Sequence, residues 1–396
     1  MINTSQRNRV TLLDIIALLC IYFAASATMS ASLLHISLFV AIPCAFIICG
    51  LSYDTIRNNV YIRILLCLYL WLGFCTPLAE ILAPAIDELQ RVLGCFILSY
   101  SMASLATKPK MIPWLYLSYC ILLLFVWKYA NDNIMNDITF GEERLGDDRL
   151  NANHLAYYSF YVMFCIYILG DIIIEKKIRL FFQILFLTTI LFSFITGIYT
   201  ASRQVLYIQV PFYFLLLCHR YFIQSKISIN SRIILIVSGI LAFILLYNIY
   251  GKDIYTNSLL KERSQIGYQD DIRSDITQNS LIVGFNHPIL GHGPGNGIYF
   301  NRKVIAHNTF LELFLNSGIP GVLIFLYLIY KFIKLQFIRW KRNRDKNYLL
   351  FLIFGLFWFI YQVLYVFYTD LWLISFFILV ATHSEIYYKN KQLISH

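Results

Sequence analysis

The chain has 396 residues, of which 59% are hydrophobic and only 14% are charged, whereas an ordinary soluble domain has about 25% charged residues. This composition excludes a soluble globular protein and predicts a polytopic membrane protein. A formal charge of +10 would suggest nucleic-acid binding in a soluble protein, but in a membrane protein Lys and Arg mark the cytoplasmic side, so we expect no nucleic-acid partner.

Apolar runs long enough to cross a bilayer recur along the whole chain. A spanning helix needs about 20 mostly apolar residues. That rule predicts twelve spans, at about 11–29, 32–52, 61–79, 86–106, 112–129, 153–173, 180–198, 204–218, 233–250, 310–330, 348–368 and 371–388. The fourth span carries Asp87, Glu88 and Arg91 in its first turns, where such groups snorkel or pair, or else face a cavity.

The connections between these spans predict the topology. With the N-terminus in the cytoplasm, every predicted cytoplasmic segment is basic, as the positive-inside rule requires. Two long connections, 130–152 and 251–306, fall on the opposite side, and the first carries six acidic residues against two arginines. We therefore expect an all-α protein with about twelve transmembrane helices, cytoplasmic termini and a large outer loop.

Metal and nucleotide sites find little support in the sequence. All nine cysteines lie in apolar segments, which argues against disulfides and thiolate metal sites. His287 and His292 lie five residues apart with no neighbouring carboxylate, which disfavours zinc. GHGPGNG at 291–297 lacks the Lys-Ser/Thr pair of a P-loop, and its composition instead predicts a compact turn on which a ligand can approach the backbone. We expect no metal and no cofactor.

A polar stretch rich in Gly, Asn and His, residues 284–321, lies between strongly apolar segments. Thr309 and Glu312 form a capping-box pattern ahead of an apolar run, which predicts a helix beginning near Phe310. Further along, Gly318 and Pro320 predict either a kink at 318–321 or a short outer helix that precedes the span.

His307 comes immediately before this predicted helix start. Unpaired backbone N–H groups and the helix dipole favour anions there, and a neutral imidazole accepts a proton from a hydroxyl group near neutral pH. A histidine in a loop is also often structural. The residues alone leave both roles open.

Two arginines on the predicted outer side are candidates for binding a phosphate. Arg203 lies in a turn too short to carry it away from the membrane boundary, so it either anchors to lipid phosphates or donates a pair of hydrogen bonds to a bound diphosphate. Arg273 has the same functional interpretation. Its alternative is a surface salt bridge with Asp270, Asp271 or Asp275.

Together these residues resemble the O-antigen ligase and polymerase superfamily, which comprises membrane glycosyltransferases that act on undecaprenyl-diphosphate-linked glycans. The matching pieces are RLNANHLA at 149–156, TASR at 200–203, the lead-in from Arg273 to Pro288 with ILGHGPGN at 289–296, and HNTFLELFLNSGIPG at 307–321. The last piece is the most specific, and the resemblance covers about residues 140–335.

The resemblance implies a GT-C-like fold and a metal-independent, inverting glycosyl transfer at the periplasmic face of the bacterial inner membrane. By the same resemblance His307 is the catalytic residue, and Arg203 and Arg273 hold the donor diphosphate. Supporting candidates are Arg263, Asn308, Glu312, Arg149 and Asn153. The implied domains are N-terminal transmembrane helices at 1–130, a catalytic region at 131–335 that includes loops 130–152 and 251–306, and C-terminal helices with a cytoplasmic tail at 336–396.

The sequence leaves the acceptor open. A ligase transfers the glycan to lipid A-core, and a polymerase transfers it to another lipid-linked repeat unit; the pattern of 307–321 favours the ligase. A polysaccharide flippase would also have about twelve spans and contact membrane lipids. It would place polar residues along a pathway through the membrane, whereas here they gather on one face.

Overall fold

The computed structural model describes residues 10–28, 31–50, 53–137, 152–173, 175–199, 203–224 and 272–394. All regular structure within these ranges is helical, which confirms the expected all-α class. In chain order the α-helices are α1 (Leu12–Ala27), α2 (Ala31–Ile36), α3 (Ile42–Cys49), α4 (Tyr53–Asn58), α5 (Val60–Cys75), α6 (Leu82–Ala106), α7 (Ile112–Asp137), α8 (Ala152–Ile172), α9 (Lys176–Tyr199), α10 (Val210–Cys218), α11 (Ile272–Asn286), α12 (Gly297–Phe300), α13 (Thr309–Asn343), α14 (Lys346–Gln362) and α15 (Leu371–Ile394).

The chain divides into two compact units. The first comprises residues 1–118, 267–343 and 354–396, and the second comprises 119–266 and 344–353. This division reflects which residues pack together, whereas the regions expected at 1–130, 131–335 and 336–396 were defined by their implied function. Those three regions therefore stay predictions.

Four helices of the first unit are long and apolar enough to cross a membrane: Val60–Leu78, Leu82–Ala106, Thr309–Asn343 and Leu371–Gln392. They form one bundle, in which α6 packs along α15 and α5 packs along α13. The predicted count of twelve spans stays a prediction. Every predicted range except 233–250, which lies outside the described residues, falls mainly on helical chain.

Three predicted boundaries are wrong. Helix α7 continues to Asp137 instead of ending near 129, and α14 ends at Gln362 instead of near 368. The expected outer loop 251–306 contains the helices α11 and α12. Apolar composition alone set the predicted limits, and both α7 and α11 include polar residues that this criterion rejects.

Polar side chains fix the ends of the bundle helices. The Oδ1 atom of Asn59 accepts hydrogen bonds from the backbone N–H groups of Tyr61 (3.1 Å) and Ile62 (3.2 Å), so Asn59 caps α5. Its Nδ2 atom donates to the Oγ1 atom of Thr382 in α15 at 2.8 Å. A single buried amide therefore both starts α5 and joins it to α15.

The three ionisable residues at the start of α6 differ in how far they are exposed to solvent. Asp87 and Arg91 are exposed, whereas Glu88 is buried. A carboxylate oxygen of Glu88 lies 3.8 Å from a guanidinium nitrogen of Arg91, and the other accepts a hydrogen bond from the Tyr368 hydroxyl at 3.1 Å. The sequence left open whether these groups snorkel, pair or face a cavity, and Glu88 is paired.

In the second unit, α8 packs against α9, and the arginine Arg220 is buried. One guanidinium nitrogen of Arg220 donates to the Tyr167 carbonyl (3.0 Å) and to the Asp171 carboxylate (3.1 Å). The guanidinium carbon lies 4.2 Å from the centre of the Tyr167 ring. Arg220 thus makes two charge-assisted hydrogen bonds and a cation–π contact, while its Nε and Nη1 atoms are buried without a hydrogen-bond partner among the described residues. These interactions offset only part of the cost of burying the charge.

Candidate functional site

The site lies in the first unit, in the connection between α11 and α13. Its first part is the glycine turn, residues 287–297, which packs on two neighbouring segments. The backbone N–H of Glu80, just before α6, donates to the His292 carbonyl at 3.1 Å. On the other side, the N–H of His292 donates to the Leu315 carbonyl at 2.7 Å. The glycine turn is thus held between the α5–α6 connection and α13.

Two glycines make this close packing possible. Gly293 has φ +101, and a Cβ atom there would lie 2.2 Å from the Cβ atom of Ala79. Gly318 has φ +69, and a Cβ atom there would lie 2.2 Å from the Ile289 carbonyl oxygen. At Gly293, the protein's own chain occupies the space in which a ligand was expected to approach the turn.

Two buried asparagines complete the packing of the glycine turn. The Asn296 side chain accepts from the N–H of Ile81 (2.9 Å) and donates to its carbonyl (3.0 Å), so it pairs with that backbone as a neighbouring strand would. The Oδ1 atom of Asn316 in α13 accepts from the N–H of Gly297 at 2.7 Å. These amides satisfy backbone groups that burial would otherwise leave unpaired.

The second part of the site is the helix start, residues 306–312. The predicted helix near Phe310 is confirmed, since α13 begins at Thr309. The predicted capping box is wrong, because the capping oxygen belongs to Asn308, whose Oδ1 atom accepts from the N–H groups of Phe310 (2.9 Å) and Leu311 (3.2 Å). The Thr309 hydroxyl instead donates to the Tyr365 carbonyl at 2.7 Å.

Glu312 reaches back over the helix start from a buried position. One carboxylate oxygen accepts from the N–H of Ala306 at 3.1 Å, and the other accepts from Nδ2 of Asn316 at 3.2 Å. Nδ2 of Asn316 also donates to the Tyr368 hydroxyl at 3.0 Å, which in turn donates to Glu88. This network fixes the chain on both sides of His307 and links it to α6.

His307, between the hydrogen-bonded residues Ala306 and Asn308, has an unusual backbone conformation. Its φ of +51 places it in the left-handed region, which non-glycine residues rarely adopt. Its side chain is half-buried. Such strain costs on the order of 1–3 kcal/mol and persists only when the surroundings impose it. Here the flanking hydrogen bonds of Ala306 and Asn308 impose it.

A second strained pair lies close by in the chain. Arg302 and Lys303 have φ of +55 and +60 and are both exposed. They form the centre of a tight turn, which the Val304 N–H closes on the Asn301 carbonyl at 3.0 Å. Glycine or asparagine usually occupies such positions. These two cations were not among the predicted site residues, although two adjacent cations in the predicted outer loop 251–306 were a usable signal.

The other predicted site residues lie elsewhere or outside the described part. Arg203 is half-buried and belongs to the second unit. Arg273 lies in the first turn of helix α11, within the predicted outer connection 251–306. Arg149 and Arg263 lie outside the described residues, and Asn153 lies in α8. An approach of the arginines to His307 therefore stays a prediction.

A carboxylate lies beside the two histidines of the glycine turn. The Oε1 atom of Glu80 is 2.5 Å from Nδ1 of His292 and 3.6 Å from Nε2 of His287. The imidazole ring of His292 also stacks on Phe300, with ring centres 4.4 Å apart. The sequence offered no local sign of this contact, because 212 residues separate Glu80 from His292.

No protein-family model matches this chain, and no curated protein matches it. The resemblance to the O-antigen ligase and polymerase superfamily therefore depends on the motifs quoted above.

Proposed function

We propose that the protein is a membrane glycosyltransferase that moves a glycan from undecaprenyl diphosphate to an acceptor hydroxyl group. The observation that carries this proposal is the strained, partly accessible His307 at the capped start of α13. Backbone strain of this kind gathers at functional sites, where it preserves a required geometry. The four apolar helices of the first unit suit an enzyme whose donor is a lipid.

In the proposed reaction His307 is the general base. The acceptor hydroxyl attacks the anomeric carbon from the face opposite the diphosphate, and its proton passes to the imidazole. The bond between the anomeric carbon and the diphosphate oxygen breaks, and undecaprenyl diphosphate leaves with that electron pair. The anomeric configuration therefore inverts. Because diphosphate is already a good leaving group, a base and cationic stabilisation suffice without metal-ion catalysis.

Cations near the reaction centre stabilise the charge that develops on the leaving diphosphate. In the proposal Arg203 and Arg273 take this role, since a guanidinium donates two parallel hydrogen bonds to phosphate oxygens. The exposed Arg302 and Lys303 add positive charge a few residues before His307. Arg149, Asn153 and Arg263 remain supporting candidates by resemblance.

Asn308 and Glu312 position the base and do not react. Asn308 caps the helix, and Glu312 holds the Ala306 N–H, so both fix the backbone on either side of the imidazole. Without these bonds the left-handed conformation of His307 would relax. The proposed geometry thus depends on side chains that need not touch the substrate.

We place the enzyme in the bacterial inner membrane, with cytoplasmic termini and a periplasmic site. The acceptor is lipid A-core in an O-antigen ligase, which we favour, and a second lipid-linked repeat unit in an O-antigen polymerase. Deletion of the gene separates the two in a gel of lipopolysaccharide. Bare core with accumulating lipid-linked polymer indicates the ligase, core with one repeat indicates the polymerase, and an unchanged pattern contradicts both.

Purified protein tests the chemistry directly. Wild-type protein should transfer labelled glycan from the lipid diphosphate donor. We expect Arg203→Ala and Arg273→Ala each to lower kcat/KM by at least about tenfold, because each removes a charged hydrogen bond to the diphosphate. Arg57→Ala, which removes an exposed arginine of α4, is the matched control. Equal kinetics for all three variants would return Arg203 and Arg273 to lipid anchoring.

A further inference from the structure

The glycine turn brings together three groups that are typical metal ligands: Glu80, His287 and His292, called here the Glu80 cluster. One ligand atom from each residue lies within 4.8 Å of the other two. His292 is buried, and the side chains of Glu80 and His287 are 39% and 52% exposed. The cluster is thus anchored on one side and open to solvent on the other.

Both ring nitrogens of His292 face oxygen atoms. Nε2 lies 3.2 Å from the Val283 carbonyl oxygen, which can only accept, so Nε2 is placed to donate to it. Nδ1 lies 2.5 Å from a carboxylate oxygen of Glu80. When Nε2 is the donor, Nδ1 presents its lone pair towards Glu80, and a cation bound between the two atoms would satisfy both.

The surroundings of His292 are those of a metal-bound imidazole. Metal-ligating histidines usually donate their second ring nitrogen to a carbonyl or carboxylate, which orients the ring, and Val283 provides this here. Stacking on Phe300 holds the same ring from its face. The second histidine of the glycine turn faces the same group, since Nε2 of His287 lies 3.6 Å from the same carboxylate oxygen.

The spacing suits a small, tetrahedral cation. Zinc binds imidazole nitrogen at about 2.0–2.1 Å, which separates neighbouring ligand atoms by about 3.3 Å. The separation of 3.6 Å between Glu80 and His287 is close to this value, and the shorter separation from His292 would open by less than about 1 Å. Because Glu80 and His287 are partly exposed, their side chains have room to adjust.

We propose that Glu80, His287 and His292 bind one divalent ion of the zinc class, with water in the fourth position. The ion would join the α5–α6 connection to the glycine turn, which leads towards the helix start. This site is separate from His307, and the proposal stands or fails independently of the proposed function.

Zinc binding to the purified full-length protein tests this directly. The protein is prepared with a tag that contains no histidine, stripped with a chelator and titrated with Zn²⁺ by calorimetry. We expect one equivalent to bind, and His287→Ala and Glu80→Gln each to weaken binding by about 100-fold or more, because each removes one of three protein ligands. His35→Ala and Glu175→Gln, which change exposed residues outside the cluster, are matched controls and should bind as the wild type does.

Thermal unfolding provides a second readout. An ion that binds only the folded state raises Tm, so Zn²⁺ should raise it in the wild type and both controls but not in the two cluster variants. Absence of zinc binding by the wild type, with an unchanged Tm, would overturn the proposal. Equal zinc affinity in the wild type, His287→Ala and Glu80→Gln would overturn it as well.

Discussion

The glycine turn and the helix start lie close together in the chain, but their residues are used differently. In the glycine turn, Gly293 accommodates a close approach of Ala79, and buried amides satisfy the backbone. At the helix start, His307 adopts a left-handed conformation without being glycine. Glycine content therefore marks where this protein packs against itself. A strained non-glycine residue is the stronger indication of function.

Replacement of His307 should have the largest effect. His307→Ala is expected to lower glycan transfer by about 10²–10⁴-fold, because it removes the proposed general base. The change should leave folding intact, since the side chain is only half-buried. Initial rates with the lipid diphosphate donor measure the first effect, and thermal unfolding in detergent measures the second.

His307→Gly is the matched variant that separates strain from chemistry. It should be as inactive as His307→Ala but more stable than that variant by about 1 kcal/mol, since glycine adopts a left-handed conformation without steric cost. Wild-type transfer rates in either variant would remove His307 from the mechanism, and the strain would then need another explanation.

Gly293→Ala should mainly affect stability. The added methyl group would lie 2.2 Å from the Cβ atom of Ala79, in a backbone conformation that alanine avoids, so we expect a loss of about 3 kcal/mol or more. Gly50→Ala is the control, because Gly50 also has a positive φ (+62) but no atom within 4 Å of the added methyl. Its expected cost is smaller, since it comes from backbone strain alone, which is on the order of 1–3 kcal/mol. Equal losses in chemical denaturation would mean that the glycine turn is not packed as described.

Asn308→Ala should have the smallest effect. Loss of the capping oxygen costs about 1 kcal/mol, and transfer should fall modestly because the backbone beside His307 loosens. Asn308→Ser retains a capping oxygen and should stay close to the wild type in both assays. If the serine variant is as impaired as the alanine variant, then Asn308 has a role beyond capping.

Local signals predicted the parts of this site that depend on neighbouring residues. The helix near Phe310 and the break near Gly318 follow from capping and helix-breaking residues within a few positions, and both are confirmed, with φ +69 and ψ −168 at Gly318. The sequence pattern predicted Thr309 in the capping box, whereas in the structure the capping oxygen belongs to Asn308. The Thr309 hydroxyl does not cap the helix because it donates a hydrogen bond to the carbonyl oxygen of Tyr365, which lies 56 residues away in the chain.

Long-range contacts account for what the sequence did not predict. Glu80 reaches His292 across 212 residues, and Tyr368 reaches Glu88 across 280. No periodicity or spacing encodes such pairs. Hydropathy located nearly all the helices, but helix ends such as Gln362 of α14 depend on tertiary packing and fell several residues from their predicted places.

The break at Gly318 also has a mechanical consequence. The Ser317 carbonyl accepts from the indole of Trp71 at 2.9 Å, and the N–H of Ile319 donates to the Pro288 carbonyl at 2.8 Å, so both sides of the break are bonded outside the helix. A spanning helix tilts when bilayer thickness changes. Because these bonds join the short segment of α13 to α5 and the long segment to the glycine turn, α13 cannot tilt alone without breaking them, so the segment bearing Asn308 and Glu312 is braced by its neighbours.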